Sequence, residues 1–359
     1  MRETLFTVGP VEMYEDTLQI GAQNLPYFRT AEFSVINNRI CDNLKKCLYT
    51  DKLSKVALLT ASGTAAMEAA VMNIFNEEDK ILIIVGGDFG KRFVEICKCH
   101  NLKHEILQLE QGQTLTKEHL EKYRANTITG ILINIHETST GVLYDGQLIG
   151  EFSKSIGATL VVDAISSFLA DEYRMDEWGI DATIISSQKA LALPPGMAAV
   201  IVNQRTEVRI RKNAKKSIYF NLEAYFTDME RGQTPFTTAV GITLQMDVRL
   251  QKILEAGVDE VCTSARRLAE DFREKVAKFD FTIPSERLSN ALTPLSPKGS
   301  ISAYSIFEIL KKEYNLFITP CGGKLRDTLI RVGHMGNLTL ANNDELIQAL
   351  KEMRKRGLV

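Results

Sequence analysis

The chain has 359 residues, of which 45% are hydrophobic and 25% are charged, and its formal net charge at pH 7 is −2. This profile is typical of a globular protein with one large and one smaller domain, and the near-neutral charge argues against nucleic acid or a membrane surface as partner. No run approaches the roughly 20 apolar residues of a membrane-spanning helix. The first seven residues lack an apolar signal core, and the six scattered cysteines suit reduced thiols, so we expect a cytoplasmic location.

Apolar runs with the character of buried strands alternate with helical patterns through the first 200 residues. Continuous apolar strands separated by helices indicate a mainly parallel sheet covered on both faces, and therefore an α/β fold. Strands are predicted at 56–60, 80–85, 104–109, 130–135, 159–162, 182–186 and 198–202. Helices are predicted at 33–50, 61–75, 90–99, 117–124 and 149–155.

The pattern changes near residue 240, where two long helices are predicted, at 238–255 and 258–278. Short strands and two amphipathic helices follow them, which indicates a separate α+β unit. We therefore expect an N-terminal arm at 1–20, a large domain at 21–244 and a smaller C-terminal domain at 245–359.

Lys189 follows the apolar run 182–185 and precedes a bend that Pro194, Pro195 and Gly196 close. This pattern predicts a buried strand that delivers the lysine into a loop. A desolvated lysine amine is a good nucleophile, since burial favours its neutral form. The alternative from this stretch alone is a surface lysine behind an edge strand.

Two polar groups follow predicted strands at their carboxyl ends, where ligands bind in open α/β sheets. Asp163 ends the strand 159–162, and a carboxylate near a lysine suits a cofactor with a pyridinium ring. The cluster 136–141 follows the strand 130–135 in the same way. Asp163 could instead cap the next segment.

Ser62, Gly63 and Thr64 lie after a strand and open a helix. Backbone N–H groups and hydroxyls at a helix N-terminus form an anion site suited to phosphate, although simple helix capping gives the same pattern. Phe89 lies in a glycine-rich turn, where it either stacks its flat face on a ligand ring or simply packs against other side chains. Arg331, in an apolar strand of the smaller domain, needs an anion, which is either a substrate carboxylate or a salt-bridge partner.

The cysteines suggest two further sites. Cys97, Cys99, His100 and His104 match none of the usual paired zinc spacings, so no metal site is expected. Cys321, in a glycine-containing loop, is a candidate nucleophilic thiol.

In this order the motifs resemble the class V family of pyridoxal-phosphate (PLP) aminotransferases of fold type I. The resemblance runs from Val8-Gly9-Pro10 to the Arg-Val-Gly-His-Met-Gly stretch 331–336, and the stretch 187–196 is specific. The branch it resembles most contains the alanine/serine–glyoxylate (serine–pyruvate) and the 2-aminoethylphosphonate–pyruvate aminotransferases. The resemblance implies a large domain with a mainly parallel sheet and a smaller C-terminal α+β domain.

The resemblance implies that Lys189 binds PLP covalently and later transfers protons, and that Asp163 pairs with the pyridinium nitrogen. Phe89 would stack on the ring, where relatives often have Trp or Tyr, and Thr138 would lie near the ring hydroxyl. Arg331 would hold the substrate carboxylate. The backbone around Gly9 would line the substrate side. The phosphate would be held by Ser62, Gly63, Thr64 and Gln188. In a homodimer, Thr234 would reach the phosphate bound to the partner subunit.

The implied reaction is ping-pong transamination from a small amino acid, with alanine or serine favoured, to glyoxylate or pyruvate. Aminoethylphosphonate is the alternative donor, and aspartate stays open, because Arg29 or Arg231 could bind a second anion instead of forming salt bridges. A cysteine desulfurase would use Cys321, but those enzymes carry histidine at the positions of Phe89 and Gln188. A PLP-binding protein without turnover and a plain nucleotide-binding α/β protein are the remaining alternatives.

Overall fold

The computed structural model describes residues 3–359. Its fourteen strands are β1 Thr4–Phe6, β2 Lys55–Leu59, β3 Lys80–Val85, β4 Lys103–Gln108, β5 Gly130–Asn134, β6 His136–Glu137, β7 Val142–Leu143, β8 Thr159–Asp163, β9 Ala182–Ser186, β10 Ala198–Val202, β11 Phe281–Thr282, β12 Leu292–Pro297, β13 Leu316–Pro320 and β14 Ile330–Gly333.

The helices lie between and after these strands. They are α1 Glu15–Gly21, α2 Ala31–Cys47, α3 Gly63–Ile74, α4 Asp88–Cys99, α5 Lys117–Glu121, α6 Gly146–Ile156, α7 Gln204–Lys212, α8 Leu222–Met229, α9 Val240–Ala256, α10 Val258–Val276, α11 Ala303–Tyr314 and α12 Leu340–Lys355, with a 3₁₀ turn at Gly323–Leu325. Over residues 3–359, none of them combines the length and the apolar character that crossing a membrane requires.

The larger sheet has seven strands in the order β2-β10-β9-β8-β5-β3-β4. All neighbouring pairs are parallel except the two that involve β10, which runs antiparallel to β9 and to β2. Two apolar clusters, one on each face, bury its central strands. The predicted α/β fold with a mainly parallel sheet is therefore confirmed, and burial on both faces explains why the strands are continuously apolar.

The second sheet has the order β1-β13-β14-β12-β11 and its own apolar cluster, which includes Phe6, Phe272 and Leu295. Its edge strand β1 comes from the N-terminus and pairs in parallel with β13 near the C-terminus. The N-terminal segment therefore belongs to the smaller sheet, and the first strand of the larger sheet begins at Lys55. The exact domain boundaries stay a prediction.

Local capping explains two of the shifts between predicted and observed helix bounds. The helix predicted at 149–155 runs from Gly146 to Ile156, because Asp145 accepts a hydrogen bond from the Leu148 N–H at 3.0 Å and Gly157 ends the helix in the left-handed region. Likewise, Thr30 caps α2 through the Phe33 N–H at 3.2 Å, so that helix begins at Ala31 instead of 33.

Candidate active site

Lys189 lies in the turn that follows β9, and it is 8% exposed. Its Nζ donates a hydrogen bond to the Val8 carbonyl oxygen at 2.6 Å. Val8 is itself held through its N–H, which donates to Thr319 Oγ1 at 3.0 Å in β13. The N-terminal segment, anchored on the smaller sheet, thus covers a lysine that the larger sheet delivers.

The environment of Lys189 favours its neutral amine. Its pKa is lowered to about 8, mainly by burial and further by the positive charges of Arg331 and Arg92, while Asp163 opposes the shift. A substantial neutral fraction near physiological pH is what a nucleophilic or proton-accepting amine requires.

Asp163 is buried at the carboxyl end of β8, as predicted from the strand pattern. Its Oδ1 accepts a hydrogen bond from the Ile165 N–H at 2.9 Å. Burial raises its pKa to about 7, against the opposing effects of that hydrogen bond and of Lys189. A cationic group placed against this carboxylate would offset its desolvation and keep it ionised.

The predicted phosphate cup lies at the N-terminus of α3. Ser62 is the capping residue and accepts from the Ala65 N–H at 3.3 Å. A Cβ at Gly63 would lie 2.5 Å from Ile165 Cδ1 and 3.3 Å from Ser186 Cβ, so the start of the helix passes close to the strand ends. The structure therefore brings these residues next to the segment that carries Lys189.

Gln188 and Thr64 are already engaged in hydrogen bonds around this cup. Gln188 Oε1 accepts from Ser186 Oγ at 2.5 Å, and Thr64 Oγ1 accepts from Arg92 Nη1 at 2.9 Å. Sequence analysis gave Arg92 no role. The sequence could have indicated that Arg92 lies beside Phe89, because it follows Phe89 by three residues on a helix and side chains at i and i+3 share a face.

The N-terminus of α4, which carries Phe89, is capped by a buried carboxylate. Glu137 accepts from the N–H groups of Phe89 at 3.3 Å and Gly90 at 3.1 Å. Its side chain fills the space beside Gly87, where a Cβ would lie 2.5 Å from Glu137 Cδ. The cluster 136–141 was predicted to lie at the crevice, but this capping was missed, because Glu137 and Phe89 are 48 residues apart.

Arg331 is buried in β14 with its fork held by two backbone carbonyl oxygens. Nη1 donates to Thr138 O at 3.0 Å and Nη2 to Pro320 O at 2.9 Å, while Nε has no hydrogen-bond partner. Within residues 3–359 no carboxylate lies within 4.0 Å of this guanidinium, so the salt-bridge alternative has no partner in that range. Thr138 Oγ1 pairs with Ser166 Oγ at 2.7 Å.

Cys321 lies beside Arg331, with its Sγ 3.8 Å from Ser139 O. Burial raises the pKa of this thiol above its usual value, although Arg331 opposes the effect. Nucleophilic cysteines react as thiolates, so this environment disfavours the role that sequence analysis considered for Cys321.

Thr234 and the two additional arginines lie together near α8 and the segment after it. Thr234 Oγ1 donates to Phe236 O at 2.7 Å. Arg29 donates to Thr234 O at 2.6 Å and to Pro235 O at 3.3 Å, so it holds this loop. Arg231 pairs with Asp228 at 2.6 Å on the surface.

The cysteine and histidine residues weighed for zinc separate in space. Cys97 is buried, and His104 Nδ1 pairs with Leu102 O at 2.8 Å. Cys99 and His100 instead approach Glu68 of α3, with ligand atoms within 4.8 Å of one another and a His100–Glu68 contact of 2.9 Å. This grouping lies at the end of α4 opposite Phe89 and could not be found from spacing within one segment.

A mainly parallel α/β sheet with a buried lysine and a buried carboxylate at its strand ends is the arrangement expected of a PLP-dependent transferase. Residues 29–284 match the family model "Aminotransferase class-V", and the chain belongs to the class V aminotransferase family. It is a PLP-dependent aminotransferase.

The similar proteins agree with this assignment. An uncharacterized aminotransferase of Methanocaldococcus jannaschii is 32% identical over 94% of this chain and 88% of the relative. Serine–glyoxylate aminotransferase of Arabidopsis thaliana is 26% identical over 93% of this chain and 87% of the relative. The structure of a subgroup IV aspartate aminotransferase from Thermus thermophilus superimposes with a TM-score of 0.91, covers 98% of this chain and 99% of that chain, and is 24% identical.

The residues present fit PLP. The N-terminus of α3, where Gly63 passes close to Ile165 and Ser186, suits the phosphate, and the buried carboxylate of Asp163 suits a ring cation. The lysine between them has a depressed pKa, as an amine that must attack an aldehyde requires.

The depressed pKa of Lys189 predicts a specific pH dependence of stability in the cofactor-free protein. Between about pH 8 and 10.5 the Lys189 amine is protonated in the unfolded chain and neutral in the folded protein. Its contribution to the free energy of unfolding therefore rises with pH. Lys189→Met removes this dependence. At pH 7 we expect the free energy of unfolding to be larger for Lys189→Met than for wild type. This difference should be about 3 kcal/mol smaller at pH 10.5, because each unit of pKa shift corresponds to about 1.4 kcal/mol.

Urea unfolding of both proteins across this pH range measures the difference. Lys91→Met, at an exposed lysine of α4, is the matched control and should run parallel to wild type. A difference between Lys189→Met and wild type that does not change with pH would show that Lys189 titrates normally.

Proposed function

We propose that the protein moves the amino group of a small neutral amino acid, alanine or serine, to glyoxylate or pyruvate. The observation that carries this is the buried fork of Arg331, whose Nε has no hydrogen-bond partner. One guanidinium suits one carboxylate. The other two arginines considered, Arg29 and Arg231, are engaged with loop carbonyls and with Asp228. The serine–glyoxylate activity of the Arabidopsis relative favours the same substrate class.

In the proposed mechanism the cofactor and each side chain of the site have separate tasks. Bound PLP supplies an electron sink for negative charge at the amino acid's α-carbon. Arg331 binds the α-carboxylate, and Lys189 takes the proton from the α-carbon, a task that its pKa of about 8 suits. Asp163 would support the charge on the ring nitrogen, Phe89 would stack on the ring, and Thr138 would hold the ring hydroxyl. Gly9 keeps the substrate side open, because a Cβ there would lie 2.8 Å from Lys189 Cδ.

The proposed order of events is ping-pong. The oxo acid formed from the donor leaves before the acceptor binds, because both molecules use Arg331 for the carboxylate and Lys189 for the proton. The phosphate is assigned to Ser62, Gly63, Thr64 and Gln188, and Thr234 is assigned to the phosphate of the second subunit.

We also propose that the protein is a homodimer with shared sites. The segments that contact the loop of Thr234 through Arg29, Ser34 and Tyr219 carry exposed apolar side chains. Leu25, Tyr27, Val35 and Ile218 are 58%, 69%, 59% and 84% exposed. Tyr219 links this patch to the cup, because it stacks on Phe236 at 5.1 Å and donates to Thr60 O at 2.8 Å. A second copy would cover this surface. The cytoplasmic location stays a prediction.

A screen of amino donors tests the substrate assignment. Each donor alone is added to the PLP-loaded protein, and the change in absorbance of the bound cofactor reports the first half-reaction. Alanine and serine should react much faster than aspartate or 2-aminoethylphosphonate. If alanine and serine are inert and aminoethylphosphonate reacts, the alternative donor is correct and the proposal is wrong.

Removing the guanidinium of Arg331 tests its role. Arg331→Gln should lower kcat/KM for both donor and acceptor by roughly 10- to 150-fold. This range corresponds to the loss of about 1.5–3 kcal/mol, which a hydrogen bond to a charged group contributes. Steady-state kinetics with each substrate varied measures this. Arg231→Gln is the control and should leave both values unchanged, and an equal loss in the two variants would contradict the assignment.

The oligomeric state tests the exposed patch. The double variant Tyr27→Glu, Ile218→Glu places two charges on it and should reduce the sedimenting mass of the holoprotein from two chains to one, with weaker PLP binding. Val208→Glu is the control, since Val208 is 52% exposed beside the amino ends of β3 and β8. A wild type that sediments as a single chain would refute the homodimer.

A further inference from the structure

Arg92 is the residue that joins two parts of the cofactor site. It lies one helical turn after Phe89 in α4, and its guanidinium carbon is 5.0 Å from the centroid of the Phe89 ring. The same guanidinium donates from Nη1 to Thr64 Oγ1 at 2.9 Å. A single side chain therefore contacts both the aromatic ring assigned to stacking and the hydroxyl assigned to the phosphate cup.

The partners of Arg92 leave its charge uncompensated. A hydroxyl and an aromatic face are neutral, and no carboxylate lies within 4.0 Å of this guanidinium in the part of the chain from residue 3 to 359. The positive charge of Arg92 acts on the residues of the site, since it contributes a lowering of the pKa of both Lys189 and Asp163. A half-buried cation of this kind at a helix N-terminus is placed to receive an anion.

The cup otherwise offers neutral groups. Ser62, Thr64 and Gln188 provide hydroxyl and amide groups, and the N-terminus of α3 provides only partial positive charge. A phosphate with two negative charges is bound most strongly where a guanidinium adds two directed N–H donors.

We propose that Arg92 is a positioning residue that supplies the counter-charge for the cofactor phosphate and fixes the Phe89 ring against the cofactor. The inference rests on the proposed assignment of residues 62–64 to the phosphate and is independent of the amino donor. Its consequence is selectivity: Arg92 favours PLP over pyridoxal, which has the same ring and aldehyde but no phosphate.

Comparing these two ligands separates electrostatic from structural roles. Equilibrium dissociation constants for PLP and pyridoxal are measured by protein fluorescence for wild type, Arg92→Gln, Arg92→Lys and Lys91→Gln. Arg92→Gln should weaken PLP binding by about 10- to 100-fold, as expected for charge-assisted hydrogen bonds, and pyridoxal binding by about 3-fold or less through the loosened ring. Arg92→Lys should retain part of the PLP affinity, because it keeps the charge but loses the planar fork.

Lys91→Gln is the matched control, since Lys91 is a neighbouring exposed cation on the same helix that pairs with Asp88 at 3.3 Å. It should bind both ligands as wild type does. Equal losses of PLP and pyridoxal affinity in Arg92→Gln, or no loss, would overturn the proposal.

The remaining outcomes are also decisive. If circular dichroism shows that Arg92→Gln does not fold, Arg92→Lys carries the test, and the proposal then requires it to lose more affinity for PLP than for pyridoxal. If wild type itself binds PLP no better than pyridoxal, the phosphate assignment of residues 62–64 is wrong. That result differs from a failure of Arg92 alone, in which wild type prefers PLP and Arg92→Gln prefers it equally.

Discussion

The site depends on one hydrogen bond, from Lys189 Nζ to the carbonyl oxygen of Val8 at 2.6 Å. It holds the N-terminal segment over a lysine whose burial is the main cause that lowers the pKa of the amine to about 8. Val8 reaches this position because β1 pairs in parallel with β13, more than 300 residues further along the chain. Glycine is required next to it, because Gly9 has a φ of +132° and passes against the lysine side chain. The two sheets therefore meet at the reactive amine.

The buried charges around Lys189 balance one another. Asp163 raises the pKa of the lysine, while Arg331 and Arg92 lower it. Glu137, completely buried, holds the first N–H groups of α4 and places negative charge near Asp163 and Arg331. Each of these groups comes from a different strand or helix, so the electrostatics of the site depend on the whole α/β arrangement.

Sequence patterns predicted those features whose cause is local. Continuous apolar runs identified the strands of the larger sheet, and Asp163 and Ser62 could be placed because each directly follows such a run. The reversed direction of β10 could not be predicted, since an apolar strand buried on both faces has the same pattern in either direction. The hydrogen bonds of Arg92 to Thr64 and of Glu137 to the first N–H groups of α4 were missed for another reason: they join residues that are distant in sequence. Family resemblance, rather than periodicity, supplied the roles of Phe89, Thr138 and Thr234.

The engagement of Arg29 bears on which amino donors the site accepts. A donor with a second anion needs a second cation, and Arg29 could provide it only by releasing the carbonyl oxygens of Thr234 and Pro235. Leaving buried acceptors without partners costs about 1–3 kcal/mol each, so the second anion would first have to offset that loss. The same movement would free the loop that carries Thr234, the residue assigned to the partner's phosphate. If both proposals hold, selection for a small neutral donor and assembly of a shared cofactor site are coupled through Arg29.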